Sequence, residues 1–294
     1  MEVGEKFIAN STYLGPEMTA ESLKELSRSF QEGLRPTEGE IEKTAEELLW
    51  INFANHIIKQ EIEALGLSSS LSLEPERVHL FSEDDITNLK GGDGYHSPVT
   101  KGLFVRKKAN RVFYYRTLFH ESVHFFGYHN YHGEKDKVWL KQYRQGFFVR
   151  QPKKSRHEHF RGLNEAVVEL ITSDLLNQHQ VEVTAKFKFR SEELQAYRTR
   201  PLQPYDSYVE LLAFIIYGIA KSRNVEPQKI WSFLKRGYFN GSMLSFPLVD
   251  KVYGRGSLRV LGELGTSFGK EDIDVSETVH EFDKIASYFK SRQP

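Results

Sequence analysis

The chain has 294 residues, 39% of them hydrophobic and including 21 Phe and 14 Tyr, which supplies a sizeable core and excludes global disorder. Its 40 basic and 40 acidic residues cancel, so no overall field draws it to nucleic acid or to an anionic membrane surface. Cysteine is absent, which excludes a disulfide framework, a thiolate nucleophile and Cys-ligated zinc, and restricts any metal site to His, Asp and Glu.

Met1 to Met18 lacks the apolar stretch of a secretory signal, and no run of about 18 apolar residues occurs anywhere, so a soluble, cytoplasmic protein is expected. From Ala20 to Leu65 the pattern is helical and broken at Gly33 and Pro36. Its second part places Ile41, Leu48, Leu49, Phe53 and Ile57 near helical spacing, which predicts a helical hairpin. Gly66 and Ser68 to Ser70 end it, and Val78 and Leu80 alternate with polar neighbours in a short strand from Arg77 to Phe81. The change of pattern divides the chain into a helical region, 1–70, and a second region, 71–294. Gly91, Gly92 and Gly94 predict a flexible turn. Gly102 to Arg106 and Arg111 to Tyr115, separated by the polar stretch Lys107 to Asn110, read as a strand hairpin.

Thr117 then caps a helix from Leu118 to Phe126 that stops at Gly127, where glycine tolerates a left-handed turn. A further helix is expected from Leu163 to Asn177. Between the two lies an insertion, Glu134 to Arg161, with nine Lys or Arg against three acids. Tyr208 to Ala220, Pro227 to Leu234 and Glu277 to Phe289 are helical by the same pattern. The fold class is therefore α+β, with a small antiparallel or mixed sheet between helical N- and C-terminal parts.

The helix after Thr117 contains His120-Glu121-Ser122-Val123-His124, an HExxH motif. Residues four apart share a helical face, so both imidazoles can ligate one zinc ion. Glu121 then stands beside the metal as a general base toward water whose pKa the ion lowers to about 7. The competing reading is an amphipathic helix with two core histidines. Leu118, Phe119, Val123, Phe125 and Phe126 weigh against it, because they bury the motif where unpaired imidazoles are costly.

A catalytic zinc needs a third protein ligand and an open position for water. In the arrangement HExxHxxGxxH the third His falls at Asn130, with His129 one residue early. The other choice is a Glu on a separate helix, and Gly162-Leu163-Asn164-Glu165-Ala166-Val167-Val168-Glu169-Leu170 offers Glu165, with Glu169 four residues on. HExxH followed by Asn-Glu-Ala-x-x-acid resembles the gluzincins, the thermolysin-like branch of the zincin metallopeptidases. That resemblance implies one zinc ion held by His120, His124 and Glu165, Glu121 as general base, Glu169 as the acid that holds a ligating His, and Asn164 in support. It also implies a zincin-like core in which an edge strand borders the cleft, and a peptide or protein substrate.

On this reading Gly102 to Arg106 is the edge strand along which a peptide pairs. His129, His132, His157 and His159 are the alternative ligands, and His157, His159, Tyr205 and Tyr208 are candidates to stabilise an oxyanion. Lys153, Lys154, Arg156 and Arg161 form only a short basic cluster, which does not support a nucleic-acid partner. Two rival readings are a zincin-like protein that keeps its metal for structure, regulation or partner binding, and a helical interaction protein whose HExxH is coincidental.

Overall fold

The structure, a computed structural model, describes residues 11–14, 20–85, 89, 92–133, 140–150, 158–198, 204–265 and 275–292. The chain forms two compact units, residues 1–142 with 171–201 and residues 143–170 with 202–294. Helices with small sheets make it an α+β protein. No helix among the described residues is long and apolar enough to cross a membrane.

The first unit opens with β1 (Ser11–Leu14) and two helices, α1 (Ala20–Glu32) and α2 (Ala45–Ala64), as the helical pattern predicts. A capping box starts α2: Thr44 Oγ1 accepts from Glu47 N at 3.3 Å, and Glu47 Oε2 accepts from Thr44 N at 2.7 Å. The buried face of α2 carries Trp50, Phe53, Ala54, Ile57 and Ile58. Trp50 anchors this helix to segments further along the chain, since its indole donates to Tyr115 O at 2.9 Å and its ring lies 4.7 Å from Tyr115 and 4.4 Å from Phe187.

A three-stranded sheet comes next, from β2 (Val78–Phe81), β3 (Gly94–Ser97) and β4 (Gly102–Arg106). β4 pairs in parallel with β2 and antiparallel with β3, in the order β2-β4-β3. This corrects two expectations. Gly102 to Arg106 is the central strand, and the antiparallel edge is β3, which begins at Gly94 where a flexible turn was expected.

Arg111 to Tyr115 is not a strand but the start of α3 (Arg111–Phe126). Val112, Phe113, Tyr114 and Tyr115 are strand-type residues, but burial of Tyr114, Tyr115, Leu118 and Phe119 at helical spacing decides the outcome. The cap is Asn110, whose Oδ1 accepts from Val112 N at 3.0 Å and Phe113 N at 3.2 Å. Thr117 sits inside the helix and donates its hydroxyl to Phe113 O at 3.0 Å. At the other end Gly127 has φ −58° and ψ 154°, so the chain leaves α3 extended and not through a left-handed turn.

β5 (His129–Gly133) then pairs in parallel with β1. The unit is completed by the second half of α4 (Arg161–Gln178), by α5 (Gln180–Phe187) and by α6 (Ser191–Arg198).

The second unit begins within β6 (Leu140–Gln145), which turns through Gly146 into β7 (Phe148–Arg150), and β7 pairs with β8 (Glu158–His159). It contains the first half of α4 and the helices α7 (Pro204–Arg223), α8 (Pro227–Asn240), α9 (Pro247–Tyr253), α10 (Ser257–Gly262) and α11 (Val275–Lys290). Phe160 N and Gly162 N donate to Gly262 O and Leu264 O, each at 2.8 Å, so the entry to α4 is tied to the end of α10. Lys153, Lys154, Arg156 and His157 lie outside the described residues. Arg161 pairs with Glu158 at 3.2 Å, and Glu158 also holds Arg150 at 2.7 Å.

Candidate metal centre

α3 and α4 each present a buried face, and the residues singled out from the sequence lie on those faces. His120 and His124, 8% and 6% exposed, follow one another by a helical turn with ring centroids 5.0 Å apart. Glu121, 7% exposed, is equally enclosed. On α4, Glu165 is half-buried. The ligand atoms of His120, His124 and Glu165 all lie within 4.8 Å of one another. Among the described residues this is the one group of three or more metal-capable side chains that converges.

The trio fits a metal ion on two grounds. Around a tetrahedral zinc with bonds of about 2.0–2.2 Å, ligand atoms stand about 3.4 Å apart, so small side-chain rotations close the set. Two neutral imidazoles and one carboxylate are also the donor types that suit zinc, and three protein ligands leave a fourth position for water.

β3 flanks α3, and the β6–β7 hairpin flanks the start of α4. A Cβ built at Gly94 would lie 2.9 Å from Thr117 Cγ2 and 3.2 Å from Glu121 Cγ, so the β3 backbone runs directly against the Glu121 face of α3 and any larger residue must displace a neighbour. Asn164, 2% exposed, accepts at Oδ1 from Phe147 N at 3.0 Å and from Phe148 N at 3.4 Å. Gly146, with φ +53°, brings the β6–β7 turn so close that a Cβ would sit 2.5 Å from the same Asn164 oxygen and 2.3 Å from Tyr238. The residue before Glu165 therefore fastens the first turn of α4 to a hairpin. Glu169, 8% exposed, comes one turn after Glu165.

Two of the alternative ligands, His129 and His159, part company with the trio. His129, 1% exposed, pairs with His96 at a centroid distance of 5.2 Å and is not one of the converging group. Burial pushes both imidazoles well below their usual range; the neighbouring charges of His129, Lys101 and His124 act on His96 in the same direction, and those of Lys101 and His124 on His129. His159 lies in β8 and does not join the trio, and the backbone of His132 belongs to β5. Tyr205 and Tyr208 sit in the first turns of α7, with rings 6.4 Å apart. Burial, and secondarily Glu281, raises the Tyr208 phenol, which stays a neutral hydroxyl.

Three contributors escaped the sequence reading: Gly94, Asn110 and Arg116, whose Nη2 donates to Ser173 Oγ on α4 at 2.8 Å. Only Asn110 left a usable signal, as a capping residue type ahead of an aromatic run. No family model, curated protein or solved structure matches the chain.

Proposed function

We propose that this protein is a zinc-dependent metallopeptidase of the gluzincin type, with a zincin-like core and one zinc ion held by His120, His124 and Glu165. The observation that carries the reading is the convergence of two imidazoles from α3 and a carboxylate from a separate helix, α4, on one point, with 40 residues between His124 and Glu165. The ion, when bound, supplies Lewis acidity toward water and toward the substrate carbonyl. Glu121, next to His120 on the buried face, accepts a proton from the attacking water and returns it to the amide nitrogen as the peptide bond breaks. Glu169, one turn beyond Glu165, orients a ligating imidazole, and Asn164 holds the turn that presents Glu165.

The substrate strand pairs with β3, not with β4. β3 is the edge of its sheet among the described residues, and its Gly94 lies against Glu121, so a peptide lying antiparallel to β3 passes over the general base.

The test is metal analysis of protein purified without added zinc, followed by cleavage of a mixed peptide library by wild type and Glu121→Gln. One zinc per chain and a loss of about 10²- to 10⁴-fold in turnover are expected. Equal cleavage by both proteins removes the role of Glu121. A second reading, a metal kept for structure or regulation, draws on the low exposure of His120, Glu121 and His124. It predicts stoichiometric zinc whose removal lowers stability, and no cleavage by wild type.

A further inference from the structure

α3 and α4 carry a repeat that extends one step beyond the metal trio. Arg116, His120 and His124 succeed one another at four-residue steps along α3, and Glu165, Glu169 and Ser173 at four-residue steps along α4, each set on one helical face with rungs about 6 Å apart. Two observations fix how the sets face each other. Glu165 converges with the two imidazoles, and Arg116 donates to Ser173 at 2.8 Å. Because α4 is one unbroken helix, the two faces run antiparallel, with Arg116 opposite Ser173 toward one end and Glu165 meeting the two imidazoles toward the other.

We propose that Arg116 is a positioning residue for the metal centre, which acts through Ser173 to set how far α4 is slid along α3 and so where the Glu165 carboxylate meets His120 and His124. The proposal rests on the zinc-site reading. Apolar packing alone leaves the slide loosely specified, because burial is non-directional. A one-residue slip moves a side chain by about 1.5 Å along the axis and about 100° around it, far outside the few tenths of an ångström that a zinc ligand tolerates. A guanidinium hydrogen bond to a hydroxyl is directional. This one joins positions 57 apart in sequence, two turns from Glu165, where it acts on the helix without touching the metal.

Zinc affinity by competition with a chromophoric chelator, at fixed pH, together with the urea midpoint of the metal-free protein, tests this on wild type, Arg116→Gln, Arg116→Lys, Ser173→Ala and Glu165→Ala. Arg116→Gln and Ser173→Ala are each expected to weaken zinc binding about 10-fold or more, with the double variant no worse than either alone. Arg116→Lys should recover part of the loss, and the metal-free midpoints should stay near wild type. Zinc binding by Arg116→Gln and Ser173→Ala within about twofold of wild type, while Glu165→Ala binds weakly, overturns the proposal, even if those two variants unfold more easily. A wild type that takes no zinc, or a Glu165→Ala that binds as tightly as wild type, overturns the zinc-site reading and this inference with it.

Discussion

Gly94→Ala is a steric test of how closely β3 lies on the Glu121 face of α3. The added Cβ would stand 2.9 Å from Thr117 Cγ2, 3.2 Å from Glu121 Cγ and 3.2 Å from Phe104 O. Carbon atoms pack comfortably at about 3.5–4.0 Å, so the deficit is about 0.6–1 Å at Thr117 and about 0.3–0.8 Å at Glu121. Such overpacking costs about 1–3 kcal/mol. Gly94 is not in the left-handed region, so alanine is otherwise compatible and offsets about 0.4–1 kcal/mol through the unfolded chain. The net loss is then between about 0 and 2.6 kcal/mol, centred on about 1.3 kcal/mol. Thr117→Ser deletes the nearest offending atom while keeping the hydroxyl that donates to Phe113 O at 3.0 Å. The double variant should therefore recover about 0.5–1 kcal/mol relative to additivity. Urea unfolding monitored by far-UV circular dichroism, with equal slopes for all four proteins, measures the cycle. A strictly additive double variant refutes the close approach whatever the metal chemistry proves to be.

On the proposed zinc reading Glu165→Ala removes the one charged ligand, and zinc affinity should fall by more than the roughly 10- to 100-fold typical of a supporting residue, read by the same chelator competition; unchanged affinity would move the third ligand elsewhere. Asn164→Leu strips the acceptor from Phe147 N and should cost about 1–3 kcal/mol in urea, whereas Asn164→Asp, which keeps an acceptor, should cost less. Equal losses would show that the oxygen does not hold the turn. Thr44→Ala breaks the capping box of α2 and should cost about 1 kcal/mol, measurable as a lower urea midpoint; no change would mean α2 gains nothing from its cap. Burial alone would raise the Glu40 carboxyl, but hydrogen bonds from His79, Lys43 and Thr37 outweigh it and hold the group below its ordinary 4.5. A depressed carboxylate contributes stability above its unfolded pKa and loses it as pH falls through the folded value. The gap between wild type and Glu40→Gln should thus be full above about pH 5 and shrink below about pH 4.5. A gap constant from pH 6 to pH 3 contradicts that origin.

What the sequence announced was what depends on one helix at a time. α1, α2 and the full length of α4 carry apolar residues at helical spacing, and the four-residue steps of His120 and His124, and of Glu165 and Glu169, are visible without any tertiary knowledge. What stayed hidden depends on partners far away. Val112 to Tyr115 have strand-forming side chains, and only the burial of Tyr114 and of Tyr115, the latter beside Trp50, turns them helical. Gly94 looks like part of a glycine turn because its reason, the close pass over Thr117 and Glu121, lies on another element. Arg116 carries no local mark at all, since its partner Ser173 sits on another helix. Nor does a linear reading foresee that α4 is counted half in each compact unit, because a helix shows no seam where its neighbours change.

Asn110 does two jobs with one amide. Its oxygen starts α3, while its Nδ2 donates to Glu193 O at 3.1 Å, and next to it Arg111 reaches Phe187 O at 2.9 Å and the Glu46 carboxylate. The root of the HExxH helix is thus a knot of three stretches of chain, the last of them 83 positions downstream. A chain growing from the ribosome can wind this helix early but can fasten its base only after α6 has been synthesised, so the final placement of His120 and His124 waits on long-range closure.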